Sequence, residues 1–258
     1  MNAPFRVRLT GSSAGTLDSV IVQIELVDRA KGCSLPGGPW QLFEPESLDA
    51  IYTDGDPAFW PDTSGNGRDI DGVIIGSAAD PAPYRPNLLN GYGGIVLTGT
   101  EYDAGYDAGT YYFDRDEPFD TQVVGDGLSI VMVVQTTTVW EPQVWNPFSP
   151  TGWALSVEAG DVNFGATSGS DTSFVSAPAP GGWAVLSGSV DSAGLARLWI
   201  NGQEADVVSG GFTATVQHLV TFYYGGDGLV FQGIWARAFT AQEHADAHCA
   251  LMAKFGIT

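Results

Sequence analysis

The sequence predicts an all-β protein in which two antiparallel sheets pack face to face as a sandwich, with one short C-terminal helix. Two observations lead there. Short segments with apolar residues at every second position recur along the chain, and clusters of Gly, Asp and Ser separate them at intervals of roughly ten to twenty residues. Only one stretch, near the end, carries a helix start signal. The composition agrees: 258 residues include 34 Gly and 15 Pro, and 21 of the 30 acids are Asp, which favours turns and caps where Glu favours helices.

From the N-terminus, Phe5, Val7 and Leu9 alternate with Arg6 and Arg8, and Val20 to Val27 resumes the pattern after Gly11-Ser12-Ser13. Residues 1–30 therefore read as a β-hairpin. The Gly- and Pro-rich stretch Lys31 to Pro39 marks a joint, which divides the chain into an arm (1–35) and a main domain (36–258); the arm's strands could equally join the main sheet. Further strands are expected at Gly94–Leu97, Leu128–Thr137, Trp153–Val157, Val162–Phe164, Trp183–Ser189, Ala196–Ile200, His218–Tyr224 and Leu229–Ala236. Asn201-Gly202 after Leu198-Trp199-Ile200 is the strongest local signal, because Asn-Gly supplies the two positive φ angles of a type I′ hairpin. Thr240-Ala241-Gln242-Glu243 fits a capping box, so a helix is expected from about 241 until Gly256 stops it.

The formal charge is −20. Such a field repels phosphate backbones, which argues against a nucleic-acid partner and against a peripheral anchor on anionic lipid. No run of 18 apolar residues and no leader-like N-terminus is visible, so neither a membrane span nor a secretory signal is expected. Cys33 and Cys249 lie at opposite ends of the chain. A terminal bridge is conceivable, but the plainer expectation is two reduced, buried thiols and synthesis inside a cell.

Several landmarks occur in one order. Trp60-Pro61-Asp62-Thr63-Ser64-Gly65-Asn66-Gly67 is similar to a W-x-D-x-S-G-N-G segment. The strand from Leu128, the strand from Trp183 and the Leu198–Gly202 hairpin follow, then Phe231-Gln232-Gly233, Arg237-Ala238-Phe239-Thr240 and Lys254-Phe255-Gly256-Ile257. In that order, over about residues 40–258, the chain resembles the concanavalin A-like lectin/glucanase superfamily, specifically the laminin-G-like jelly rolls found in bacteriophage virion proteins. Phe239 stands where that pattern usually has Leu. The resemblance implies a jelly-roll sandwich, and it leaves function to the site, since members include glucanases, lectins, adhesive modules and virion proteins.

Catalytic patterns are missing. The glucanases of this fold carry an E-x-D-x-(x)-E strand, and the nearest match, Glu101-Tyr102-Asp103, has no second Glu. Gly11-Ser12-Ser13-Ala14-Gly15 has the spacing G-x-S-x-G but falls in the turn of the expected hairpin, not between a strand and a helix as a nucleophile elbow does. His244 and His248 share a helix face at the spacing of zinc motifs, but Ala245 occupies the place of the Glu and His218 is the only third imidazole. The simpler expectation is a polar helix face near the C-terminal dipole. No enzyme and no required cofactor is therefore expected.

Binding patterns are better represented. Asp62-x-Ser64-x-Asn66-Gly67 copies the start of an EF-hand loop, but Val73 replaces the bidentate Glu. A calcium site of another kind remains a candidate, built from Asp62, Asn66, Asp69 and Asp71, against a plain Asx turn that organises the strand. Trp60 is expected in the core. Trp140, Trp145 and Phe148 lie in a proline-braced loop, and Tyr102, Tyr106, Tyr111 and Tyr112 in a second loop; both could present rings to a glycan or a protein neighbour.

The resulting expectation is a non-enzymatic structural protein of a bacteriophage-like virion, a capsid decoration, fibre or tail-surface protein at the virion surface. It would be oligomeric or particle-bound, holding other virion proteins through the N-terminal arm. The alternative is a carbohydrate-binding lectin module, with calcium as a candidate cofactor.

Overall fold

A computed structural model describes residues 6–9, 22–25, 32–51, 59–67, 69–75, 84–97, 110–114, 127–136, 143–144, 151–158, 160–168, 171–209, 221–222 and 226–258. Elements are numbered in chain order. The larger sheet runs β16 (Gln203–Ser209), β15 (Leu195–Ile200), β14 (Trp183–Val190), β9 (Leu128–Gln135), β18 (Gly226–Trp235), β7 (Tyr92–Leu97) and β6 (Tyr84–Leu89). An eighth strand, β3 (Gln41–Phe43), pairs with the C-terminal half of β18. The smaller sheet runs β13 (Asp171–Pro178), β12 (Asp161–Ser168), β11 (Thr151–Glu158), β10 (Gln143–Val144) and β17 (Thr221–Phe222). A three-stranded sheet holds β4 (Phe59–Trp60), β5 (Ile70–Ile75) and β8 (Thr110–Asp114). The fold is an antiparallel β-sandwich of jelly-roll type, as the sequence predicts.

The apolar run of β9 is buried on both faces, which is why it lacks alternation in the sequence. Leu128, Ile130, Met132 and Val134 enter the core between the sheets, where Leu155, Val162, Phe164 and Val175 of the smaller sheet meet them. Val131 and Val133 point the other way, with Val185, Phe231 and Trp235, into a second core. That second core is covered by α2 (Ala241–Phe255) through Ala247, Leu251 and Phe255. The molecule is thus layered as small sheet, large sheet and helix. Gly188 is required at the first interface, because the Phe164 ring occupies the place of a Cβ.

The local signals hold at both strong positions. Asn201 (φ 47°) and Gly202 (φ 81°) turn β15 into β16. Thr240 and Glu243 form the capping box of α2, and Gly256 ends the helix at φ 65°. At one side of the sandwich, Asp206 Oδ2 accepts a hydrogen bond from the Ser176 N–H on edge strand β13, and the β15–β16 pairing is irregular beside it. A side-chain acceptor and a bulge both discourage strand addition at that edge.

Several expectations need correction. A second, five-residue helix, α1 (Pro45–Asp49), follows β3 directly and is tied to β6 where the Tyr84 hydroxyl donates to Asp49 at 2.5 Å. Tyr111 and Tyr112 are not in a loop: they lie in β8, paired with Ile74 and Val73. The proline-braced stretch contains β10 at Gln143–Val144. Cys33 and Cys249 are not free thiols but a disulfide, with Cα atoms 5.8 Å apart.

β1 (Arg6–Leu9) and β2 (Val22–Glu25) form a sheet of their own, hydrogen-bonded to no other described strand. Residues 33–36 are held on the sandwich: Cys33 is bonded to α2, Leu35 packs against the helix-side core, and the Trp235 indole N–H donates to the Pro36 carbonyl at 3.0 Å.

Candidate functional site

The Asp62 turn follows β4, whose Trp60 is fully buried against Phe43 with ring centroids 5.4 Å apart. Asp62 Oδ1 accepts from the N–H groups of Leu42 and Ser64, both at 2.9 Å, and Oδ2 accepts from the Ser64 hydroxyl at 2.7 Å. Asp69 Oδ1 accepts from the Asp62 N–H at 2.8 Å. The Asn66 amide donates to the carbonyls of Pro39 and Trp40, each at 3.0 Å. These residues form an Asx turn that staples the segment before β3 to the start of β5. Asp71 is in β5, with its backbone paired to Phe59 and Asp114. Among the described residues, no group of three or more His, Cys, Asp or Glu is placed to hold a metal ion. The turn is complete without a cation, so chelator should leave the melting temperature unchanged; a chelator-induced drop of several degrees would place calcium there.

The expected aromatic platforms are only partly within view. Trp140, Trp145, Phe148, Tyr102 and Tyr106 lie outside the described residues, as does His218. Of the strand tryptophans, Trp199 and Trp235 are buried and Trp183 is half-buried.

The concentration of reactive groups is elsewhere, between β14 and α2, and it corrects the polar-face expectation for the helix. His244 and His248 are both fully buried, because the face they share is turned onto the sheet. Ser187 and Ser189 on β14 face them. Ser187 Oγ lies 2.7 Å from both His244 Nδ1 and His248 Nε2, and Ser189 Oγ lies 2.8 Å from His244 Nε2. The Gly202 N–H donates to His248 Nδ1 at 2.9 Å.

That last contact orders the protons. A backbone N–H can only donate, so His248 Nδ1 is bare and its proton is on Nε2. Nε2–H donates to Ser187, the Ser187 hydroxyl donates to His244 Nδ1, and His244 Nε2–H donates to Ser189. Every nitrogen of two neutral rings is satisfied by one directional chain. Trp199 stacks on His244 at 5.3 Å and 4°. Burial, with the Arg197 charge second, pushes His244 down to about 3. Burial, with His244 second, pushes His248 to the same level.

A serine hydroxyl on an imidazole nitrogen is the contact of an activated nucleophile. Here Ser187 is fully buried beneath α2, so no substrate reaches it and the arrangement fastens helix to sheet. The sequence signal was present but weak: Ser at 187 and 189, two apart in an otherwise apolar strand, facing His at a spacing of four.

No family model matches the sequence, and no curated protein matches it. Solved structures similar in fold include the binding domain of botulinum neurotoxin DC in complex with rat synaptotagmin II, at 12% identity and TM-score 0.56, covering 83% of this chain and 52% of that one. The same domain in complex with SialylT gives 12% identity and TM-score 0.56, over 83% and 51%. A type C neurotoxin structure, described through a cell entry dependent on two ganglioside molecules, gives 12% and 0.53, over 80% and 53%. The chain spans about half the length of these structures, and at this identity the likeness is one of fold.

Proposed function

We propose that the chain is a non-enzymatic structural and interaction protein of a bacteriophage-like virion, a capsid decoration, fibre or tail-surface protein attached through its N-terminal hairpin. The observation that supports this reading is the hairpin's independence, a two-stranded sheet outside both sheets of the sandwich. Charge separates in the same way. Residues 1–31 hold four of the ten cations, Arg6, Arg8, Arg29 and Lys31, against three acids, while the remainder carries a net −21. An alternating strand with no third neighbour among the described strands is suited to adding to another protein's sheet. The Cys33–Cys249 bridge fits a protein that works outside a reducing cytosol.

Deleting residues 1–31 spares Cys33 and Pro36. The full chain should co-purify with a virion particle, and the truncated protein should melt as the full chain does yet fail to attach to it; retained attachment would overturn the assignment.

A second reading, a carbohydrate-binding module, draws on the fold neighbours that were solved with SialylT or described through gangliosides. It places a glycan on the aromatics Trp140, Trp145, Phe148, Tyr102 and Tyr106, which lie outside the described residues. A glycan array with calcium present separates the two, since the absence of any hit leaves the scaffold role alone.

A further inference from the structure

We infer that α2 is an acid-released cover: proton uptake by His244 and His248 lifts the helix from the outer face of the larger sheet, while the core between the sheets stays closed and the Cys33–Cys249 bridge keeps the helix tethered.

The geometry leaves no place for an added proton. On His248 Nδ1 it would set N–H against the fixed N–H of Gly202. On His244 Nδ1 it would take away the acceptor of the Ser187 hydroxyl. The Glu243 carboxylate is the one charge that favours a protonated His244, and burial and the Arg197 charge outweigh it; among the described residues no carboxylate hydrogen-bonds either ring. β14 contributes only the hydroxyls of Ser187 and Ser189. Arg197 on β15 is already paired with Glu204 on β16, and Glu243 on α2 with Arg237 at 2.6 Å. A cation formed in this layer is therefore buried and unpaired, the costliest state for a charge.

The sensitivity is confined to one layer. His244 and His248 are the only buried side chains among the described residues that titrate between pH 3 and 7. The Arg237 hydrogen bond holds the Glu243 carboxyl at about 2, so the capping box stays ionised and the helix keeps its N-terminus in acid. Both imidazoles are depressed from 6.5 to about 3 when docked. Docking is therefore at full strength above pH 6.5 and is lost as pH falls toward 3, about tenfold per pH unit per imidazole, or roughly 1,000-fold for the pair by pH 5. Release uncovers Val131, Val133, Val185, Phe231 and Trp235.

The test is amide hydrogen exchange of the full-length, oxidised protein from pH 7 to pH 4.5, corrected for intrinsic rates. Protection over residues 241–255 should fall at least 100-fold more than protection over 128–135, and the double variant His244→Gln, His248→Gln should lose that difference. Unchanged helix protection, equal loss in helix and strand, or an equally acid-sensitive variant each overturns the inference. Should the variant not fold, the imidazole resonances of the natural sequence decide. A titration that coincides with loss of helix protection supports release, and ordinary titration near pH 6.5 with the helix still docked overturns it.

Discussion

Breaking the Cys33–Cys249 bridge, by reduction or by the paired substitution Cys33→Ser and Cys249→Ser, should lower the free energy of unfolding by about 5 kcal/mol. The two cysteines are 216 residues apart, so the bond closes nearly the entire chain into a loop and withholds correspondingly many conformations from the unfolded state. Against a total stability of about 5–15 kcal/mol, that is a third or more of what holds the native state together. Urea unfolding with and without reductant measures it, and a shift equivalent to under about 1 kcal/mol would mean that the reduced unfolded chain is already compact. The same bond also explains how residues 33–36, rich in Gly and Pro nearby and without regular structure, stay seated on the helix-side core.

Ser187→Ala should cost about 4 kcal/mol, far beyond the loss of one ordinary hydroxyl. It strands the His248 Nε2–H without an acceptor and His244 Nδ1 without a donor, and each unsatisfied buried group costs about 1–3 kcal/mol. Ser189→Ala removes one acceptor only and should cost about half as much. Denaturant midpoints at pH 7.5, where both rings are neutral in folded and unfolded chains alike, isolate this loss from titration. Equal and small effects for the two variants would mean that Ser187 does not bridge the rings.

The parts of the fold that are legible in the sequence are those fixed by local chemistry. Asn201-Gly202 needs two positive φ angles and Thr240–Glu243 needs a cap, and both are where they were expected. Trp60, which the sequence places in the core, is fully buried. What stayed hidden depends on partners distant in the chain. β13 and β16 have mixed sequences whose strand character comes from the neighbours they pair with. Tyr111 and Tyr112 looked like loop residues beside Gly105 and Gly109, but pairing with β5 makes them strand. The histidines were misplaced for a related reason. Helical spacing shows that His244 and His248 share a face, yet only the sheet, through Ser187 and Ser189, shows that this face is inside. The cysteine pairing, 216 positions apart, had no local trace at all.

The clasp at Cys33 also decides how the molecule carries load. A pull on the N-terminal hairpin reaches Cys33 first and passes through sulfur into the middle of α2, ahead of the segment that leads to β3. Without the bond, the same pull would peel residues 33–40 and then part β3 from β18 one hydrogen bond at a time, as a zipper opens. With it, the pull enters α2 at Cys249 and loads the Leu251 and Phe255 contacts and the serine–histidine chain together. Attachment through the hairpin, as proposed, would thereby hang the protein from its helix layer, the layer that acid is proposed to loosen.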